Sequence, residues 1–292
     1  MDISKSTYEL LQLIVARINN AVGVTSVVNN NDGTFTLNTC NILWATLGFP
    51  ITINGVEYQI VDIEDGVSIT VKPKVGNTVP PIGVFALYVP KFYHGTIKAT
   101  ETDLNKKVNN KLLSWDKLPM IWLHEPVEEI ISPAEEEMIY RKSNGELYFL
   151  NDADFAKWSN DDHYKYAIKP MRKLFMAFYE AMKYSGLINE DSIKSYKLVD
   201  LPRFGEYKVI SGNKNNQNQG ESQIFAQYHL SGTKVGIQFA WLRNQDSCCE
   251  IAYIAPVISG EEEFKIYFNG VLVDSFTHSI TEDVTINIIP TP

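Results

Sequence analysis

Residues 117–184 read KLPMIWLHEPVEEIISPAEEEMIYRKSNGELYFLNDADFAKWSNDDHYKYAIKPMRKLFMAFYEAMKY, and the reading of this stretch decides the fold. The apolar run 119–123 predicts a buried strand, 135–140 a second, and 146–150 a third after a turn at Ser143-Asn144-Gly145. Asp152 and Asp154 are placed to cap a short helix carrying Phe155 and Trp158. Asp161 or Asp162 then caps a longer one running to about Tyr184. Ala167, Met171, Leu174, Phe175, Phe178 and Met182 line one side of that helix, while Lys169, Arg172, Lys173, Glu180 and Lys183 occupy the other. Pro170 should kink or break it, since proline lacks the N–H and crowds the preceding turn. Gly186 is a natural C-cap.

Toward the N-terminus, residues 4–22 predict a helix with Ser6 and Glu9 as a capping box and Leu10, Leu13, Ile14, Ile18 and Ala21 on one face. From Val24 the period drops to two. Short strands at 24–28, 34–37, 51–53, 56–60, 67–71 and 84–89 are separated by Asn31-Asp32-Gly33, Asn54-Gly55, Glu64-Asp65-Gly66 and the Pro80-Pro81 break. Asn54-Gly55 is the firmest of these, because both central positions of a tight hairpin need positive φ. Residues 1–100 thus read as a helix on a small antiparallel sheet or open barrel. The polar segment 91–113 is a linker or a packed surface segment.

Beyond Lys194 strand patterns return at 196–199, 206–210, 223–230, 234–242, 250–254, 263–268, 271–276 and 284–289, with Asn269-Gly270 as a second hairpin turn. The Asn/Gln-rich stretch 213–220 is a polar loop. The expected class is α+β and β-dominated, with a helix-plus-sheet domain and central helical segment over 1–190 and a β-sandwich over 191–292.

A chain of 292 residues with 45% hydrophobic and 21% charged side chains can bury a sizeable core. Its net charge of -9 argues against gripping nucleic acid through phosphates, which takes clustered Lys and Arg, although an acidic wall that DNA slides past is compatible with it. No apolar run reaches membrane-span length, and MDISKSTYELLQ lacks the plan of a signal peptide, so synthesis and folding in a cytoplasm are expected. Cys40 and the vicinal pair Cys248-Cys249 do not form a disulfide framework.

Chemistry has few candidates. His124 with Glu125, Glu128, Glu129 and Glu135 to Glu137 matches no metal-ligand spacing, and a run of Glu is a solvated face. Asp161-Asp162-His163 holds a carboxylate and an imidazole, but capping and compensation of the helix dipole explain the aspartates. No phosphate loop, dinucleotide fingerprint, nucleophile elbow or Cys-x-x-Cys is present. Neither a catalytic residue, a metal nor a cofactor is therefore assigned.

The segment KLPMIWLHEPVEE, followed by EEEMIYRKSNGELYFLNDADFAKWSNDDHYKYAIKPMRKLFMAF, resembles virion structural proteins of tailed bacteriophages infecting Bacteroidetes, including the crAss-like group. The resemblance spans roughly residues 90–190. It implies a non-enzymatic subunit of the neck or tail, such as a connector, tail terminator or ring protein. Its partners would be copies of itself in a ring, neighbouring portal, neck or tail proteins, and DNA passing through the lumen without specific binding; it would be found in the virion and would not engage a membrane. Trp122, Trp158, His163 and Arg172 are the expected interface residues. The alternative is a glycan- or receptor-binding module in the C-terminal sandwich, using Tyr228, Trp241 or Tyr253. A third reading, a hydrolase, needs His124 or His163 at hydrogen-bond distance from a carboxylate in a pocket.

Overall fold

Helix α1 (Thr7–Val15) begins with the capping box its spacing predicts: the Ser6 hydroxyl accepts the Glu9 N–H, and the Glu9 carboxylate accepts the Ser6 N–H at 2.6 Å. The structure, a computed structural model, describes residues 6–64, 67–105, 117–133, 139–189, 196–204, 229–241, 262–268 and 271–278. Within it α1 stops at Val15 instead of reaching residue 22. Asn19 and Asn20 turn the chain there, the first accepting the Ala21 N–H and the second donating to the Leu87 carbonyl, so side chains compete with the helical ladder. Leu10, Leu11, Ile14 and Val15 are buried.

The period-two region forms six strands, β1 (Ala21–Asn29), β2 (Phe35–Thr39), β3 (Pro50–Ile53), β4 (Val56–Glu64), β5 (Ser68–Pro73) and β6 (Gly83–Ala86). They pair antiparallel in the order β3-β4-β5-β2-β1-β6, and the end strands β3 and β6 lie alongside each other, so the sheet curls nearly into a barrel. Val22, Val24, Phe35, Leu37, Ile60, Ile69, Val71 and Phe85 are buried on these strands. Asn54 and Gly55 have φ of 47° and 79° in the β3–β4 turn, where a Cβ-bearing residue other than Asn would be strained.

The second sheet holds β7 (Lys91–Gly95), β8 (Met120–Pro133), β9 (Ile139–Asp152), β10 (Ile188–Asn189), β11 (Tyr196–Phe204) and β12 (Leu230–Trp241). Strand β7 runs parallel to β8 and is followed by helix α2 (Ile97–Asn105); every other pairing is antiparallel, with β9 between β8 and β12. Helix α1 packs against β7 of this sheet and against the long helix described below. The expected turn at Ser143-Asn144-Gly145 is absent, because these residues run on as strand between two partners. Ser143 and Asn144 face Glu129 and Glu128 on one side, and Phe239 and Gln238 on the other. Full pairing of the backbone on both edges outweighs the local turn preference.

Strands β11 and β12, read from sequence as part of a C-terminal sandwich, pair into this sheet, so the boundary drawn at 190/191 runs through it. By its contacts the chain separates into a unit of residues 3–243 and one formed chiefly by 244–292. In the latter, β13 (Glu262–Phe268) and β14 (Val271–His278) form the expected hairpin, with Phe268 opposite Val271. The turn Asn269-Gly270, the strands at 206–210, 250–254 and 284–289, the 213–220 loop and Cys248-Cys249 lie outside the described residues.

Three helical pieces run end to end: α3 (Asn160–His163), a π-helical turn (Tyr164–Ile168) and α4 (Lys169–Lys183). The N-cap is Ser159 rather than Asp161 or Asp162. Its hydroxyl accepts the Asp162 N–H, while the Asp162 carboxylate accepts both the Ser159 N–H and hydroxyl. Phe155 and Trp158 sit in a turn, not a helix, held by Asp154 accepting the Ala156 and Lys157 N–H groups. Pro170 breaks the regular ladder as expected, and the break takes the form of the wide turn just before it, in which the Lys169 N–H reaches back five residues to the Tyr164 carbonyl. Gly186, at φ 66°, ends the segment. The apolar side of α4 covers the second sheet, with Phe149 of β9 in edge contact with Phe175 at 5.6 Å and Phe178 at 5.7 Å.

Candidate interaction surface

Two of the four expected interface residues belong to the core. Trp122 is 1% exposed, donates its indole N–H to the Gly95 carbonyl at 3.1 Å and packs against Tyr148 at 4.6 Å. His163 is fully buried, with Nδ1 3.0 Å from the Ser231 hydroxyl and the rings of Phe155 and Trp158 each at 5.5 Å. Both are consumed as packing, Trp122 beside Tyr148 on the face of the sheet opposite the one from which Phe149 meets α4, and His163 between the rings of Phe155 and Trp158. Trp158 is half-buried, its carbonyl accepting from Arg203. Arg172 reaches the surface, where it forms a two-pronged ion pair with Asp200 at 2.5 and 2.9 Å. Trp158 and His163 come together; Trp122 on β8 and Arg172 on α4 do not join them in one site.

At His124 the hydrolase geometry is not assembled. His124 Nδ1 stands 3.7 Å from Glu146, outside hydrogen-bond reach, and that carboxylate is taken by Lys234 at 2.6 Å. Partial burial works to raise the Glu146 pKa, but the Lys234 ammonium, the Tyr148 hydroxyl and His124 outweigh it and hold the group below its ordinary value. Among the described residues no three His, Cys, Asp or Glu side chains group to hold a metal, and no helix is long and apolar enough to cross a membrane. Of the aromatics proposed for glycan binding, Trp241 is 3% exposed and donates its indole N–H to the Ser143 hydroxyl, which also contacts Thr7 at the start of α1. Tyr228 and Tyr253 lie outside the described residues.

Two surface features remain that the sequence reading did not single out. The first is apolar. Between residues 75 and 89, Val75, Val79, Ile82, Val84, Tyr88 and Val89 are all exposed, Val75 at 82%, Val84 at 68% and Ile82 at 67%. They leave on the order of 600 Å² of apolar surface in water, compared with about 800 Å² that each partner buries in a stable interface. The fold explains the exposure. Edge strand β6 turns Phe85 and Leu87 inward, so Val84 and Tyr88 face out. Opposite Val84 on β1 stands Gly23, over which a Cβ would meet nothing within 4 Å. A sequence signal existed: a Pro-, Gly- and Asn-rich connection cannot bury the valines and isoleucine it carries.

The second feature is basic. Lys165, Lys169 and Lys173 line a cleft with Ile42, Ile63 and Pro170, where the helical segment meets the barrel. Lys165 bonds Asp62 of β4 at 3.0 Å, and Tyr166 donates its hydroxyl to the same carboxylate. Comparison of the chain with protein-family models, with curated proteins and with solved structures found no match.

Proposed function

We propose that the protein is a non-enzymatic structural subunit of a tailed-phage virion, placed at the neck or tail and acting by oligomeric assembly around the DNA channel. The observation that carries the assembly part is the concentration of exposed apolar side chains between residues 75 and 89, since exposed apolar surface of this order often serves an interaction. The virion part rests on the resemblance of residues 90–190 to phage neck and tail proteins. An acidic chain suits a channel wall that DNA passes without adhering, because phosphates are repelled. Burial of Trp122, His163 and Trp241 removes side chains from which a ligand platform would be built.

The test is the solution mass by light scattering over a wide concentration range, with negative-stain imaging of the concentrated protein. Closed rings, or a mass that climbs to a fixed multiple of the chain, are expected. A monomer at every concentration by both methods would remove assembly as the activity.

A further inference from the structure

Resting on that assembly reading, we infer that the outward face of the paired strands β1 and β6 is a two-fold contact, packing against the same face of a second copy of this chain. The first ground is shape. Ile82, Val84, Ala86 and Tyr88, alternate residues along β6 and its flanks, are exposed, while Phe85 and Leu87 between them are buried. At strand spacing they make an apolar ridge about 20 Å long. Beside it on β1, Ala21 stands opposite Ala86 and Gly23 opposite Val84, on the face away from the buried Val22 and Val24. A Cβ at Gly23 would meet nothing within 4 Å, so the fold leaves a hollow next to its own ridge. A ridge adjoining a hollow fits its own image rotated by half a turn, each ridge lying in the other copy's hollow.

The second ground is charge. No Asp, Glu, Lys, Arg or His occurs in residues 18–31 or 75–89, although 21% of the chain is charged and its net charge is -9. Two such chains repel where their acidic surfaces meet, and this strand pair lets them approach without that cost. At its border Lys74 is already paired with Glu57 at 2.8 Å. The size is also of the right order. The exposed side chains between 75 and 89 leave about 600 Å², to which Ala21 and Ala86 add, against about 800 Å² per partner in a standard interface.

Among the described residues, the exposed apolar groups of the long helical segment are less suited to be the counterpart. Met176 stands between Lys173 and Glu180 on its helix, and the Lys183 ammonium lies over the Tyr184 ring. The uncharged face therefore finds its best match in itself. A two-fold contact is satisfied by one partner, so any larger closed assembly is built from pairs and holds an even number of chains.

The experiment uses the full chain as wild type and as three variants, Gly23→Leu, Val84→Glu and Val84→Lys. Thermal melts confirm that each is folded, and light scattering reads the mass of each alone and of an equal mixture of the two Val84 variants. Gly23→Leu adds apolar surface but fills the hollow, so it should need at least tenfold more protein to assemble. Each Val84 variant alone sets like charges near each other across the axis and should weaken assembly by at least the same factor. Their mixture should recover assembly, as pairs holding one copy of each. Weakening without recovery in the mixture would mean that the ridge meets some other surface; it overturns the two-fold contact and leaves the assembly reading standing. Gly23→Leu assembling as readily as the wild type does the same. Should the charged variants fail to fold, Gly23→Leu and the wild-type mass still decide, since a closed assembly with an odd number of chains overturns the contact. A wild type that stays monomeric at every concentration overturns both.

Discussion

The second sheet and the barrel treat their large apolar side chains in opposite ways. In the sheet and the helix α4 that covers it, Trp122, Tyr148, Phe149, Phe175, Phe178 and Trp241 are all buried, locked by ring contacts or by an indole N–H that finds an acceptor. In the barrel, Val, Ile, Leu and Phe dominate the interior together with Tyr58 and Trp44, and a second set of mostly aliphatic residues between 75 and 89 stays in water. Aromatic density in the sequence therefore marks where the chain folds. Plain valines and isoleucines at exposed positions mark where it has apolar surface left for a partner.

The largest effects that sharpen this contrast lie in the sheet and the helix that covers it. Phe178→Ala should destabilise the protein by about 4 kcal/mol, as large-to-small changes of buried Phe do, measured by urea unfolding. Gly232→Ala should cost about 3 kcal/mol, since β12 crosses β9 so closely that a Cβ would lie 1.9 Å from the Phe149 carbonyl oxygen, and backbone cannot yield as a side chain can. Ser159→Ala removes the N-cap of α3 and should cost about 1 kcal/mol. By contrast Ile82→Ser with Val84→Ser should change stability by no more than about 0.5 kcal/mol per site, as substitutions of exposed side chains do. If the barrel pair proved as damaging as Phe178→Ala, the division between folding and assembly residues would be wrong.

A smaller effect concerns pH. The folded pKa of Glu146 lies below its unfolded value, so its contribution to stability is complete above the ordinary carboxylate range and fades as pH falls through the folded value. Glu146→Gln should therefore flatten the acid side of the stability profile, read as the urea midpoint at successive pH values, and alter the loss on acidification more than the ordering of the other variants.

Much of the fold was legible because local rules and tertiary demands agreed. Ser6 with Glu9, Asn54-Gly55, and the apolar side of α4 from Ala167 to Met182 all stand as their spacing implies. Ser143-Asn144-Gly145 misled because its turn chemistry is local, whereas its strand pairing depends on β8 and on β12, the latter more than ninety residues away in sequence. The join of β9 to β12 hid the domain boundary for the same reason. The interface candidates were drawn from residue type, and Trp122 and His163 went to the core because type does not tell which face of a strand or helix is covered. What the sequence could not convey at all was which aliphatic residues remain outside, since exposure is a property of the assembled layers.

The most direct measurement is light scattering on the wild-type protein and on the Ile82→Ser, Val84→Ser variant side by side, with thermal melts of both. The wild type should assemble with rising concentration, and the variant should stay monomeric while melting at the same temperature. A variant that assembles as readily as the wild type would contradict this, as would a wild type that never leaves the monomer.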